Sequence, residues 1–274
     1  MKLGHLSTWV LCAALGLPAA AAGEESAAPG SSSTEDLAKQ TQNPVASLIS
    51  VPLQSNFNFG VGPNEELQYI MNVQPVVPIG ITDDWNVITR PILPIISQPF
   101  LAPGVGDTFG LGDMQLQLYL SPAKPGALIW GAGPVFQFPT ATDESLGTGQ
   151  WAAGPAAVAL TMQGPWVFGA LANNLWSFAG DDERPKVNQL TVQPFVNYNL
   201  PDGWYVNSAP IITANWEAED GDTWTVPLGA GVGKIVRVGK LPINLQLASY
   251  YNVVTPEYGA EWQLRFQVQL LFPR

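Results

Sequence analysis

Two residue types that carry much of protein chemistry are nearly missing from this sequence. The 274 residues hold one cysteine, Cys12, and one histidine, His5. Both fall in residues 1–22, where Lys2, an apolar run over 6–17 and Ala20-Ala21-Ala22 before Gly23 have the three-part layout of a secretory signal peptide. Cys12 sits inside the apolar run rather than behind a lipobox, so it is expected to be discarded with the peptide rather than lipidated. The exported chain then has no thiol, no disulfide and no cysteine metal site. A Ser-His hydrolase is excluded, and the commonest general base and metal ligand is gone. An enzyme would have to work through carboxylates or lysine, and no clustered acid pair offers itself. We expect no enzyme, no cofactor and no metal.

Charge is scarce too. Asp, Glu, Lys and Arg make up 12% of the chain against 46% hydrophobic residues, where about a quarter charged is usual for a soluble domain. Basic residues are the rarer sign: 11 Lys+Arg against 22 Asp+Glu. Lys2 is the only one of these before residue 23, so the exported chain carries ten basic and 22 acidic residues, a formal charge of −12. That balance argues against nucleic acid and suits an envelope protein with acidic outer loops. Long apolar runs are missing as well. After residue 22 nothing approaches the ~18 apolar residues of a transmembrane helix. An apolar chain without such a helix can still live in a bilayer as a closed β-barrel, because closure pairs every backbone N–H and C=O.

What is present is alternation. Over 261–272, Trp262, Leu264, Phe266, Val268, Leu270 and Phe272 take one parity, and Gln263, Arg265, Gln267 and Gln269 the other. Twelve residues at ~3.3 Å each, tilted ~40°, rise roughly 30 Å, enough to cross the apolar band of an outer membrane. The same period predicts twelve strands at 51–59, 67–79, 85–95, 113–120, 128–138, 151–162, 166–178, 187–200, 204–216, 223–236, 241–254 and 261–272. The fold class expected is all-β: a closed, antiparallel, up-and-down transmembrane barrel behind a short N-terminal periplasmic helix. The division is signal peptide 1–22, flexible leader and helix 23–50, and barrel 51–274. Ser33 caps the helix and Asn43-Pro44 ends it. The N-terminal segment either plugs the lumen or only orders the terminus.

Amides cannot face lipid without a steep cost, so their shared parity marks the inner face. The lumen-lining candidates are Gln68, Asn72, Gln74, Arg90, Gln115, Gln117, Gln189, Gln193, Asn197, Asn244, Gln246, Gln263, Arg265, Gln267 and Gln269. Asn174 and Asn188 break the parity near predicted strand ends. Arg90 and Arg265 are either solute-selecting charges or halves of ion pairs across the lumen, with Glu261 sharing the parity of Arg265. Short connections (82–84, 121–127, 163–165, 201–203, 237–240) interleave with longer ones (60–66, 96–112, 139–150, 179–186, 217–222, 255–260), as periplasmic turns and outer loops do. Nine tryptophans, from Trp85 to Trp262, mostly mark strand ends, as an aromatic girdle would. The clusters Asp181-Asp182-Glu183 and Glu217 to Asp222 read as solvated outer loops, with divalent cations and lipopolysaccharide as the alternatives. Prolines 75, 78, 91, 134, 155, 194, 210 and 227 inside strands imply bulges or breaks.

The helix Leu37-Ala38-Lys39-Gln40, the run Asn43-Pro44-Val45-Ala46-Ser47-Leu48-Ile49-Ser50-Val51-Pro52-Leu53-Gln54 and the ending Gln267-Val268-Gln269-Leu270-Leu271-Phe272-Pro273-Arg274 carry a resemblance. Over essentially all of residues 23–274 the chain resembles bacterial transporter-like proteins often misnamed "neuromedin U", near the family named for the MetA pathway of phenol degradation. The resemblance implies a monomeric barrel in the outer membrane of a Gram-negative bacterium, passing small molecules, aromatic ones among them; the amide lining adds the expectation that these are largely uncharged. It supplies no catalytic or binding residues. The expected partners are the lipid bilayer, lipopolysaccharide, a small-molecule solute and the outer-membrane assembly machinery, which reads an aromatic-ended C-terminal strand such as the one ending at Phe272. The alternative function is a structural or enzymatic barrel without transport.

Overall fold

The computed structural model describes residues 34–101 and 107–272. The predicted signal peptide and leader, and the final Pro273-Arg274, lie outside the described residues. Twelve strands close into one antiparallel barrel. They are β1 Ile49–Val61, β2 in two pieces Glu66–Val73 and Val77–Gly80, β3 Trp85–Gln98, β4 in two pieces Thr108–Leu111 and Met114–Pro122, β5 Leu128–Phe138 and β6 Gln150–Gln163. The second half comprises β7 Trp166–Gly180, β8 Asn188–Asn199, β9 in two pieces Trp204–Ser208 and Ile212–Asn215, β10 Trp224–Val238, β11 Leu241–Val254 and β12 Trp262–Phe272. Each strand pairs with the next in sequence, and β12 pairs back onto β1 from Ile49↔Phe272 to Phe59↔Trp262. No edge is left, which is what a bilayer demands of a sheet.

The period-two pattern sorts the side chains as expected. On β12, Arg265, Gln269 and Leu271 are buried, while Trp262, Leu264, Phe266 and Phe272 are exposed. Exposed apolar side chains all around the wall, such as Phe266 at 42%, Val232 at 48% and Leu247 at 48%, form the lipid-facing band. Aromatic pairs rim it at both ends. Trp85–Trp130 and Trp166–Tyr198 sit at the short-turn rim, and Phe138–Trp151, Trp216–Trp224 and Tyr251–Trp262 at the long-loop rim. Their edge-on and tilted geometry is the one preferred by ring quadrupoles.

Breaks in the strands fall where proline was awkward. Pro75 lies between the pieces of β2, with pairing resumed at Val76↔Ser50, and Pro210 lies between the pieces of β9. Pro134 and Pro155 sit opposite one another on β5 and β6, and Pro227 coincides with a register shift on β10. One loop is shorter than the sequence suggested. β3 runs on to Gln98 and pairs with Thr108–Leu111, so the connection is 99–107 rather than 96–112. Gly110 lies within the first piece of β4 and Gly112 in the break before the second; a Cβ at Gly110 would collide with Thr142 and one at Gly112 with Ile96.

The parity-breaking amides are a real exception and not a boundary error. Asn174 and Asn188 lie on the outer face of adjacent strands, where Asn174 Nδ2 donates to Asn188 Oδ1 at 3.1 Å. Trp216 Nε1 donates to Asn174 Oδ1 at 3.2 Å. Pairing with each other beneath an indole satisfies groups that lipid could not.

Candidate functional site: the lumen and its N-terminal floor

The helix α1, Thr34–Thr41, closes the short-turn rim. Leu37 (1% exposed) and Ala38 face inward and, with Ala46 and Leu48, pack on Ile235 of β10 and Leu271 of β12. After Asn43-Pro44 ends the helix, the chain turns into the lumen through a local bond from Val45 N–H to Asn43 Oδ1. Gln42 and Asn199 exchange two amide bonds, at 2.9 and 3.1 Å, which fastens this turn to the end of β8. Val45 then joins a buried apolar cluster on the opposite side, with Tyr119, Val158, Leu160, Val167 and Phe195. Gly131 leaves the room that Val45 and Tyr119 occupy. The segment 34–48 thus packs on both the β10–β12 side and the β4–β8 side of the barrel at this end.

The interior is two-sided. Inward residues of β4 to β8 (Tyr119, Val135, Ala152, Ala156, Val158, Leu160, Val167, Leu171 and Leu175 among them) form a packed apolar mass. The remaining arc is amide-lined. Toward the long-loop rim a continuous ladder runs from Arg265 Nη2 to Gln263 Oε1, Gln263 Nε2 to Asn58 Oδ1, Asn58 Nδ2 to Gln68 Oε1 and Gln68 Nε2 to Gln98 Oε1, all between 2.6 and 2.9 Å. Arg265 also donates to Asn56 Oδ1 (3.2 Å) and to the Ala209 carbonyl (3.0 Å), and packs on the Tyr250 ring at 4.8 Å. Ala209 belongs to the break in β9. Its N–H donates to Tyr250 Oη at 3.2 Å, so the break turns inward and narrows the lumen there.

Between this constriction and the N-terminal floor lies a cavity of about 150 Å³. Eight candidates read from the sequence line it: Gln74, Arg90, Gln193, Asn197, Asn244, Gln246, Gln267 and Gln269. Gln68, Gln263 and Arg265 stand in the ladder above. Gln117 is buried beside the chamber, bonded to Arg90 and Tyr119. Gln115 pairs with Gln137 near the long-loop rim. Gln189 lies under loop 181–187 with Lys186, and Asn72 sits in register opposite Gln54 and Pro94. Sequence reading passed over Gln54, Asn56 and Asn58, although they share one parity within the first strand. It also passed over Tyr205 and Asn207 of β9. Gly233 of β10 is bare because the Tyr205 ring lies over it, placing the Tyr205 hydroxyl on Asn244 Oδ1 at 2.8 Å.

The ion-pair expectation fails for both inward arginines. Arg90 Nη2 donates to Gln74 Oε1 at 2.6 Å and Nη1 to Gln117 Oε1 at 3.4 Å. Every partner of the two guanidiniums among the described residues is neutral. Glu261 is exposed at the rim, its N–H on the Phe59 carbonyl. Arg265 instead donates from Nε, Nη1 and Nη2 to the neutral oxygens of Asn56, Ala209 and Gln263.

The outer loops lock together through backbone contacts. Asp113 accepts from Thr148 N–H and hydroxyl and from Ala141 N–H. Arg184 reaches the carbonyls of Glu144 and Gly147, and Asp222 accepts from Glu257 N–H. The Ser145 hydroxyl and N–H hold the Asp143 carboxyl below the usual carboxylate range. Among the described residues no group of three His, Cys, Asp or Glu side chains is placed to hold a metal.

No family model and no curated protein matches the chain. Solved structures do. The COG4313 outer membrane channel from Pseudomonas putida F1 superposes with a TM-score of 0.63 at 18% identity, over 82% of this chain and 94% of that one. The NanC porin superposes at 0.52 and 9% identity, over 82% of this chain and all of that one. At such identities the likeness is one of fold: a twelve-stranded barrel of the outer-membrane kind. With its lipid-facing apolar band, the chain is an outer-membrane barrel.

Proposed function

We propose that this barrel is a passive channel for small, largely uncharged molecules of aromatic-ring size, gated at the short-turn rim by its own N-terminal segment. The observation that carries the reading is the amide-lined chamber bordered by Ala209 of the β9 break and by residues of the 40–48 segment. Inward Asn and Gln side chains replace water around a polar solute while adding no charge of their own. Twelve strands enclose a lumen between the filled interior of eight and the wide channel of sixteen. Here inward apolar side chains of β4 to β8 fill one side of that lumen, so the passage is narrow. The fold likeness to a Pseudomonas putida channel supports the resemblance to transporter-like proteins. A secreted monomer, inserted by the assembly machinery with its acidic loops toward lipopolysaccharide, completes this reading.

The test is flux. Purified barrel in liposomes, with and without residues 23–44, should admit small sugars and simple phenols above empty-vesicle leakage, faster for the shortened chain. If neither form admits either solute, a structural or enzymatic barrel replaces the channel.

A further inference from the structure

We propose that the chamber is a binding site for a small organic monocarboxylate with a neutral, hydroxylated body, its carboxylate on Arg90 and its hydroxyl on Asn207. The inference rests on solutes reaching the lumen, and goes beyond it by assigning one charge to the solute.

Arg90 is the only charged residue among those lining the cavity. A guanidinium has five N–H donors, and two of Arg90's are engaged, both by neutral glutamine oxygens. That leaves three donors and the positive charge of a cavity-lining side chain with no counter-ion among the described residues. A charge removed from water without a partner is costly, and an anion held bidentately is the geometry a guanidinium offsets best. Arg265 shows what a structural arginine looks like in the same lumen. Its Nε and both Nη atoms are engaged, a tyrosine ring packs against it, and it does not line the cavity.

Asn207 supplies an independent signal. It lines the same cavity, is 5% exposed, and its Oδ1 is buried without any hydrogen-bond partner. Such orphaned acceptors are rare in folded proteins. A carbonyl oxygen accepts and never donates, so it repels a carboxylate and calls for a hydroxyl or N–H. Anion site and orphan acceptor together therefore specify a ligand with two different polar ends. Val76, Leu171 and Phe195 add apolar lining to the same cavity. The volume, about 150 Å³, is close to that of an engineered cavity known to hold benzene, so a body of single-ring size suits it. No second cation lines the chamber to balance a dianion, which favours a carboxylate over a phosphate.

Isothermal titration calorimetry on the full chain in detergent at neutral pH tests this with three probes: 4-hydroxybenzoate, its neutral analogue 4-hydroxybenzamide, and benzoate. The acid should bind at least tenfold tighter than the amide, and benzoate several-fold weaker than 4-hydroxybenzoate. Arg90→Gln, which keeps a donor for Gln74, should abolish the preference for acid over amide, and Asn207→Leu should abolish the advantage of the hydroxyl. Arg90→Lys should retain part of the acid preference. Equal affinity for acid and amide in the unaltered chain, or no binding of any probe, would overturn the proposal in favour of a chamber that holds water only. That comparison needs no variant to fold. Sugar flux in liposomes without acid binding would sink this proposal alone, and acid binding without flux would sink the channel alone.

Discussion

Leu37→Ala should loosen the segment that closes the short-turn rim, by an amount the packing sets. Leu37 is 1% exposed against Ile235, Leu271, Ala46 and Leu48. Truncating a buried leucine costs about 2 to 5 kcal/mol, and the rim of a barrel can settle around the gap, which argues for the lower end. A loss of about 2 kcal/mol from the docked state alone raises the undocked population about 30-fold. Asn199→Ala removes the reciprocal amide pair with Gln42, two bonds worth about 1 kcal/mol each. The two sites share no partner, so the losses should nearly add, and the double variant should open about a thousandfold more often. Swelling of liposomes in a small sugar reads the open fraction as a rate. An Ala46→Cys probe, buried in the docked state and making none of these bonds, reads undocking independently, through reaction with an impermeant maleimide. Because residues 23–274 contain no native cysteine, its labelling in a chain that begins at Gly23 is unambiguous. If labelling rises in Leu37→Ala while swelling stays at the parent rate, the segment is not the gate; if labelling does not rise, the packing argument is wrong.

Two further expectations follow from the wall. Cysteine at Asp182 or Asp220 should label in intact cells and cysteine at Asp202 should not, since the first two lie in long-rim loops and the third in a short turn; the reverse pattern would invert the barrel. Val268→Arg places a charge on the lipid face of β12, opposite Leu53 and Leu245, and should cost about 2 to 4 kcal/mol of folding stability in lipid. Gln267→Arg, one residue along, should be tolerated, and equal losses in denaturant titrations would mean that the strand is not two-faced.

The wall was legible because lipid enforces the alternation: one misplaced amide on the outer face is expensive, so the pattern runs cleanly through strands such as β12. The interior obeys no such rule. On β6, Ala152, Ala156, Val158 and Leu160 point inward while alanines also face outward, so both parities look apolar and the packed half of the lumen left no trace. Tyr205 and Tyr250 were hidden for a related reason. An aromatic residue in such a strand suggests a girdle, yet these two are buried among inward groups, and only the bare glycine at Gly233 hinted at a ring lying over the wall. The inward arginines were found, but their partners were not, because contacts across a lumen join residues whose spacing in the chain carries no period.

The ladder from Arg265 to Gln98 has a direction that its chemistry imposes. A guanidinium can only donate, so Gln263 must offer it oxygen and turn its NH₂ toward Asn58. Asn58 must then do the same toward Gln68, and Gln68 toward Gln98. Four neutral amides are thus aligned head to tail, each polarising the next, with their positive ends pointing away from the buried charge. Around one level of the wall near its outer mouth the lumen displays the sign of a cation seated two residues deeper on β12, without any ion standing there to be screened by salt or stripped by a competitor. A solute arriving from outside meets the field of Arg265 through amide dipoles that turn over by rotating single bonds, with no proton or backbone having to move.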